Sequence, residues 1–414
     1  MRLLPNWRCF WLLLALVCFG QSADAITVTI DYNYDSSNFF GAGNPQGAAA
    51  GLQAKTTLEA AASFFSNLLT DSLSVIQTPA EYHSSAGGFA IGHWTADFEN
   101  PSTGADKTLT DITIPANQYR IYVGAQPLGG NEAGHGAIGG IGFSFNAGGN
   151  FNSQSEIDQI MATEAEFDTE VHHRDKPTGF ADWGGAIAFA SNDVWHFDYT
   201  TPPEAATNDF YSVALHELGH TLGLGSSDEW NALVNQAAAT FNGNSSKSQF
   251  GGPVPLSTPD LAHWANGTMS KIYGTTTSQT AVMTPSLTQG TRKKFTSLDV
   301  AGLTDVGWSV AAPPVLVGDY NGNGIVDAAD YTVWRDTLGS MSDLRANGNN
   351  SGASAGKIDQ ADYVAWKANF GHTAGGAGAG LTGVAPEPTS GLLLALGGCL
   401  TACLRAVRRV AVVA

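Results

Sequence analysis

The stretch Leu215-His216-Glu217-Leu218-Gly219-His220-Thr221-Leu222-Gly223-Leu224-Gly225-Ser226 decides how this chain is read. Residues four apart lie one above the other on a helix. His216 and His220 therefore present two imidazoles on one face, with Glu217 beside the first. Nitrogen ligands, an open coordination position and a carboxylate base are what a zinc hydrolase requires. The pattern also recurs by chance, in helices whose histidines are only hydrogen-bonded. Its surroundings favour the metal. Tyr211 to Leu215 is apolar on the core side, Asn208 or Asp209 can cap the helix start, and Gly223 can end it in a left-handed turn.

The 414 residues carry a formal net charge of -18, with few charged side chains and much Gly, Ala, Ser, Thr and Asn. This suits an exported, β-rich protein with long loops. It argues against nucleic-acid binding, because no basic patch is available to neutralise phosphates. Residues 1–25 read as a signal peptide: Arg2 and Arg8 are the basic end, Phe10 to Phe19 the apolar core, and Ala23-Asp24-Ala25 the small-x-small cleavage site. The mature chain would then start directly in a strand, with no room for a sizeable propeptide. All 4 cysteines, at 9, 18, 399 and 403, fall in the two ends. A body without disulfides is stabilised by core packing and by metals.

At the other end, Pro386-Glu387-Pro388 precedes the apolar run Gly391 to Leu404, and Arg405, Arg408 and Arg409 follow. Residues 386–414 thus resemble a PEP-CTERM sorting signal. The resemblance implies an exosortase-type processing enzyme and delivery to the envelope or outside of a Gram-negative-type bacterium, with membrane contact only through this tail.

Residues 26–310 are expected to form one α+β domain. Ile26 to Tyr32 alternates as a first strand. Leu58, Ala61, Ala62, Phe65, Leu68 and Leu69 recur at helical spacing, and Ser155 to Phe167 reads as a second helix. Phe89 to Phe98, Gln118 to Val123 and Ile187 to Ala190 read as strands. Gly129 to Gly149 reads as loop with a strand near Ile141 to Phe145; no phosphate-loop lysine follows it, so it has no nucleotide role. A substrate strand is expected to add along the sheet edge near Ile187 to Ala190. Adjacent His172 and His173, and His196, are read as structural or surface residues, a second structural metal being the alternative.

Gly223 falls three residues after His220, so this part of the chain resembles the metzincin zinc peptidases, in which such a glycine lets a close third histidine reach the metal. Here that third position is Ser226, and a serine hydroxyl is a poor zinc ligand. Asp228 and His263 are the candidates. His263 is favoured, because leishmanolysin-type metzincins place the third histidine after a long insertion and before a Met-turn, and Ala281-Val282-Met283-Thr284-Pro285 resembles that turn. The resemblance implies a zincin fold (a twisted mixed sheet plus an active-site helix) with zinc on His216, His220 and His263. Met283 would be an apolar floor and Glu217 the general base. Thr291 to Asp299 is expected to lead into a final helix through Val300 to Val306, packed behind the site, capped by Thr296 or Ser297 and closed by Gly307-Trp308.

After Pro313-Pro314, residues 316–372 form a small second domain. Asp319, Asn321, Asn323, Asp327 and Asp330 stand at positions one, three, five, nine and twelve of a calcium loop, with Gly324 at the sharp turn and Ile325 offering its carbonyl. Ile358 to Tyr363 repeats Val326 to Tyr331, and Trp366 repeats Trp334. Two loop–helix units of this helical EF-hand kind resemble a type I dockerin, which implies Ca2+ and a cohesin-like partner; a calcium-rigidified spacer is the alternative. The second loop departs through its Gly352 to Gly356 stretch. Residues 373–385 are a Gly/Ala-rich linker.

The expected function is that of an exported zinc endopeptidase acting on proteins or peptides. The alternatives are an inactive zincin scaffold for surface adhesion and a dockerin-bearing polysaccharide-degrading enzyme.

Overall fold

The alternating run after Ile26 forms strand β1 (Thr27–Asp31), and α1 (Ala48–Leu68) follows. Helix α1 buries Ala54, Leu58, Ala61, Ala62, Phe65 and Leu68, a stripe at the helical period. Full burial of a side chain such as Leu58 or Phe65 is worth about 1.5–3 kcal/mol. The computed structural model describes residues 26–373, apart from positions 175, 177, 178 and 314. The expected signal peptide, nearly all of the Gly/Ala-rich linker and the sorting segment lie outside the described residues. Among the described residues, no helix is long and apolar enough to cross a membrane.

Next come β2 (Tyr82–His83), β3 (Phe89–Glu99), β4 (Asp106–Thr110), β5 (Gln118–Gln126), β6 (Gly134–Ile138), β7 (Gly140–Gly148), α2 (Gln154–His173) and β8 (Gly184–Ala190). They build two four-stranded sheets. The first runs β1-β5-β8-β6, parallel except for the antiparallel edge strand β6. The second is antiparallel, with β3 between β7 and the pair β2 and β4. Between them Phe98 stacks on Tyr122 at 4.7 Å, and α2 closes the second sheet through Phe167, 4.8 Å from Phe143.

Two expectations need correction here. The glycine-rich stretch 129–149 is mostly strand, β6 and β7, rather than loop around one strand. Its glycines are there for close approach: a Cβ on Gly136 would lie 2.5 Å from the Glu217 carbonyl oxygen. Ile187 to Ala190 is also not a free edge. Strand β8 is paired on both sides and buried throughout, and the strands at the sheet's two edges are β1 and β6.

Strands β9 (Trp195–His196) and β10 (Asn208–Asp209) lead into α3 (Phe210–Thr221). Asp209 caps α3 by accepting from the Ser212 amide at 3.0 Å, and Gly223 leaves the helix at φ +95°. Helix α3 packs over the first sheet, Phe210 lying 4.7 Å from Phe189. The chain then makes an excursion through α4 (Asp228–Leu233), β11 (Val234–Asn235), β12 (Thr240–Phe241), α5 (Asn244–Phe250) and β13 (Val254–Pro255). This excursion has its own aromatic core, with Trp230 stacked 4.1 Å from Phe241 and 4.9 Å from Trp264. A hairpin of β14 (Met269–Lys271) and β15 (Ser278–Thr280) precedes α6 (Ser297–Asp305), which Thr296 caps.

The small unit holds α7 (Ala328–Thr337) and α8 (Gln360–Asn369). Each starts with an aspartate capping box, Asp327 with Asp330 and Asp359 with Asp362. The two halves clasp each other reciprocally. Trp334 Nε1 donates to the Asp359 carbonyl at 2.8 Å, and Trp366 Nε1 to the Asp327 carbonyl at 2.9 Å.

Candidate metal centre

His216 and His220 stand on α3, and His263 arrives from the far end of the excursion. Their Nε2 atoms lie 3.0 Å (216–220), 3.2 Å (216–263) and 3.1 Å (220–263) apart. Among the described residues they are the group of His, Cys, Asp or Glu side chains placed to hold one metal ion. Three nitrogens about 2.0–2.1 Å from a tetrahedral ion stand about 3.3 Å apart, so the spacing fits zinc.

The protonation of each ring supports the same fit. His216 Nδ1 lies 2.9 Å from the Val282 carbonyl, His220 Nδ1 2.7 Å from the Leu224 carbonyl, and His263 Nδ1 3.0 Å from Asp260 Oδ2. A carbonyl or carboxylate accepts only, so each Nδ1 carries a proton, and in the neutral form of such a ring Nε2 presents the lone pair that a metal takes. Three lone pairs aimed at one point cannot hydrogen-bond one another; they need a cation. Burial and the neighbouring His220 and His263 push His216 far below the usual histidine range. Burial, and then His263, takes His220 down to about 3. Both rings are thus held neutral, as ligands must be.

Glu217 is buried, facing β6 rather than solvent. A Cβ on Gly134 would lie 2.8 Å from its Cγ, so a side chain there would displace the carboxylate. Burial raises the Glu217 carboxyl to about 8, against the opposing Gly136 amide.

The floor is built by Ala281 to Thr284. Met283 is fully buried, and a Cβ on Gly219 would come within 2.7 Å of its Sδ, so the helix needs glycine there. The Trp264 amide donates to the Met283 carbonyl at 2.9 Å, tying the segment that carries His263 to this turn. Asp299 on α6 holds both together. It accepts from the Val282 and Met283 amides at 3.0 and 3.2 Å and from Trp264 Nε1 at 2.9 Å. Burial pushes its carboxyl up, while Thr296 and these amides pull it back. Sequence reasoning placed Asp299 in a helix behind the site without this role. The Thr296-x-x-Asp299 spacing is the local signature of the capping box that the structure forms; the reach of Asp299 across to the turn has none. Asp260, the orienting partner of His263, was also missed, although it stands three residues before it.

The remaining candidates lie elsewhere. Ser226 donates its hydroxyl to the His220 carbonyl at 2.6 Å, closing the helix end. Asp228 is exposed at the start of α4 and outside the cluster. His172 pairs with Asp182 at 2.8 Å, His173 with the Gly179 carbonyl at 2.6 Å, and His196 with Glu204 and the Asp198 carbonyl.

In the small unit, Asp319 accepts from the Asn323 and Gly324 amides, and Asp330 from those of Asn321 and Asp327. The second loop repeats part of this: Asp362 accepts from the Asn349 and Asp359 amides. That register puts Asn347 where the first loop has Asp319. Its Oδ1 is buried and has no hydrogen-bond partner among the described residues.

Three imidazoles around one point, two of them on the helix that carries the buried Glu217, are the arrangement that a metal-dependent hydrolase uses. Residues 142–249 match the peptidase family described as Matrixin. The matched stretch is well under half of the chain; it contains His216, Glu217 and His220 and ends before His263. It supports a metzincin-type zinc metalloprotease. No curated protein and no solved structure matches the chain.

Proposed function

We propose that this chain is an exported zinc endopeptidase whose ligands are His216, His220 and His263 and whose general base is Glu217. The observation that carries the reading is the convergence of three histidine Nε2 atoms within 3.2 Å of one another. Zinc, when bound, supplies a Lewis acid that makes water nucleophilic at neutral pH and polarises a peptide carbonyl. Glu217 takes the proton from the attacking water and delivers it to the leaving amine. A carboxyl held near 8 by burial is within reach of both states, and a neighbouring cation favours the charged, accepting one. The open edge of β6, lying against Glu217, is where an extended substrate adds a strand; this replaces the edge expected at β8.

In the small unit, Asp319, Asn321, Asn323, Asp327, Asp330 and the Ile325 carbonyl form an all-oxygen donor set suited to calcium. The orphaned Asn347 Oδ1 favours a second, weaker cation in the other loop. We read the unit as dockerin-like, with a cohesin-like partner, and the two chain ends as export and exosortase-type sorting signals that deliver the enzyme to the envelope or outside of a Gram-negative-type bacterium.

Zinc content and casein cleavage of the purified protein test the enzyme reading. The parent is expected to hold one zinc per chain. His263→Ala loses it and Asp228→Ala keeps it. Glu217→Gln keeps zinc and loses cleavage by about 10²–10⁴-fold. A well-folded parent without zinc, or a zinc-loaded parent inert on casein, would return the domain to the scaffold reading. Zinc retained in His263→Ala would remove the proposed third ligand.

A further inference from the structure

The first aspartate loop does not hang free of the catalytic domain. The Thr276 amide donates to the Gly322 carbonyl at 2.5 Å, and its hydroxyl donates to the Gly322 and Asn321 carbonyls at 2.8 and 3.1 Å. The Thr277 hydroxyl donates to the Asn323 carbonyl at 3.4 Å. Thr276 and Thr277 form the tip of the hairpin between β14 and β15. These contacts join residues some 45 positions apart across the boundary between the two units.

The direction of those carbonyls follows from the loop itself. In a trans peptide the N–H and the C=O point opposite ways. Asp319 draws the Asn323 amide inward at 3.0 Å and the Gly324 amide inward at 2.7 Å. The carbonyls of the same two peptide units, on Gly322 and Asn323, must therefore face outward. Those are the two that receive Thr276 and Thr277. The carboxylate that would bind the cation is thus the group that aims the outer acceptors.

The hairpin leads straight to the histidine cluster. Thr277 is followed by β15, and β15 runs directly into Ala281, Val282 and Met283. The Ala281 amide is held by the Thr268 carbonyl at 2.9 Å, and the Val282 carbonyl receives His216 Nδ1. The carbonyl that orients a proposed ligand, on Val282, lies only five positions after Thr277.

We propose that the outward face of the first aspartate loop braces this hairpin, so that a cation bound in the small unit stiffens the floor of the histidine cluster in the large one. The proposal rests on the calcium reading of the Asp319–Asp330 loop. It assigns that loop a partner within its own chain, on the face opposite its ligands.

Hydrogen exchange of the full chain tests it, in calcium-depleted and calcium-replete buffer at one fixed zinc concentration. In the parent, calcium is expected to slow exchange across 319–330 by about tenfold or more, and across 276–283 by about three- to tenfold, the scale of about one net hydrogen bond. In Thr276→Val/Thr277→Val the loop response persists, while the response at 276–283 falls below about twofold. Calcium that protects 319–330 in the parent and leaves 276–283 unchanged overturns the brace alone. Calcium that protects neither segment overturns the calcium reading and the brace with it.

Discussion

The histidine cluster and the aspartate loops occupy folds of very different depth. Behind His216, His220 and His263 lies a continuous core that includes Phe65, Tyr119, Phe189, Phe210, Leu218 and Trp308, each at 1% exposure or less. Behind Asp319 and Asp330 lie Tyr320, Trp334, Ala346 and Ile358 as the buried cluster of the whole small unit. A unit of that size seldom gains more than about 3–5 kcal/mol from its core. On the proposed reading, then, zinc adds chemistry to a fold that stands without it, whereas calcium adds folding energy that the small unit lacks. The way each carboxylate is used agrees. Asp299 ties together segments that a large core already positions. Asp330 ties the two ends of a loop backed by a much smaller core.

The largest effect is expected from Asp299→Ala. It strips an acceptor from five buried donors: the Trp264 indole, the Val282, Met283 and Thr296 amides and the Thr296 hydroxyl. The cost should be about 4 kcal/mol. The large unit should nevertheless stay folded at room temperature, with a lower denaturant midpoint and reduced zinc content. Asp330→Ala frees two backbone amides and should cost less, about 3 kcal/mol. Yet the small unit should unfold, read as rapid proteolysis of residues 316–373 with residues 26–310 surviving as a stable fragment. If the small unit survives Asp330→Ala while the large one collapses in Asp299→Ala, the contrast in depth is wrong.

Elements with a strong period were legible in the sequence, and so were residues whose chemistry is local. The stripe of α1, the alternation of β3 and the cap and glycine exit of α3 all lie where the periodicity and end signals put them. Strand β6 was not legible. Its G-H-G-A-I composition is poor strand material, and it is a strand because Gly134 and Gly136 must pass close over Glu217. The same contact misdirected the search for the sheet edge, since β8 reads as an edge only if β6 is loop. His263 was legible as a candidate through its place ahead of Met283. Its approach to within 3.2 Å of His216 depends on the excursion folding back on Trp230, Phe241 and Trp264, which no local pattern displays. Asp299 shows the same limit: a carboxylate can announce the helix that it caps and remain silent about the turn that it holds.

The smallest effect concerns the outer layer of the large unit, where α2 ends against the segment that leads into β8. His172 Nδ1 meets Asp182 Oδ1 at 2.8 Å, and Asp182 is almost fully buried. The hydrogen bond that its ring donates to Asp182 raises His172 above its ordinary 6.5, against the opposing effect of burial. Because the folded value is the higher one, the stabilisation is fully present below pH 6.5 and is lost as pH climbs through the raised value. His172 is 46% exposed, and solvent screening should keep the effect below about 1 kcal/mol. Denaturant midpoints of the large unit from about pH 5.5 to about pH 8.5 should therefore fall more steeply in the parent than in His172→Gln. The aspartate loops take no part in this pair, so proteolysis of residues 316–373 should not follow the same curve. Equal slopes in parent and variant would mean that the pair contributes nothing to α2. A matching change in the small unit would mean that the two folds share stability more widely than their separate cores allow.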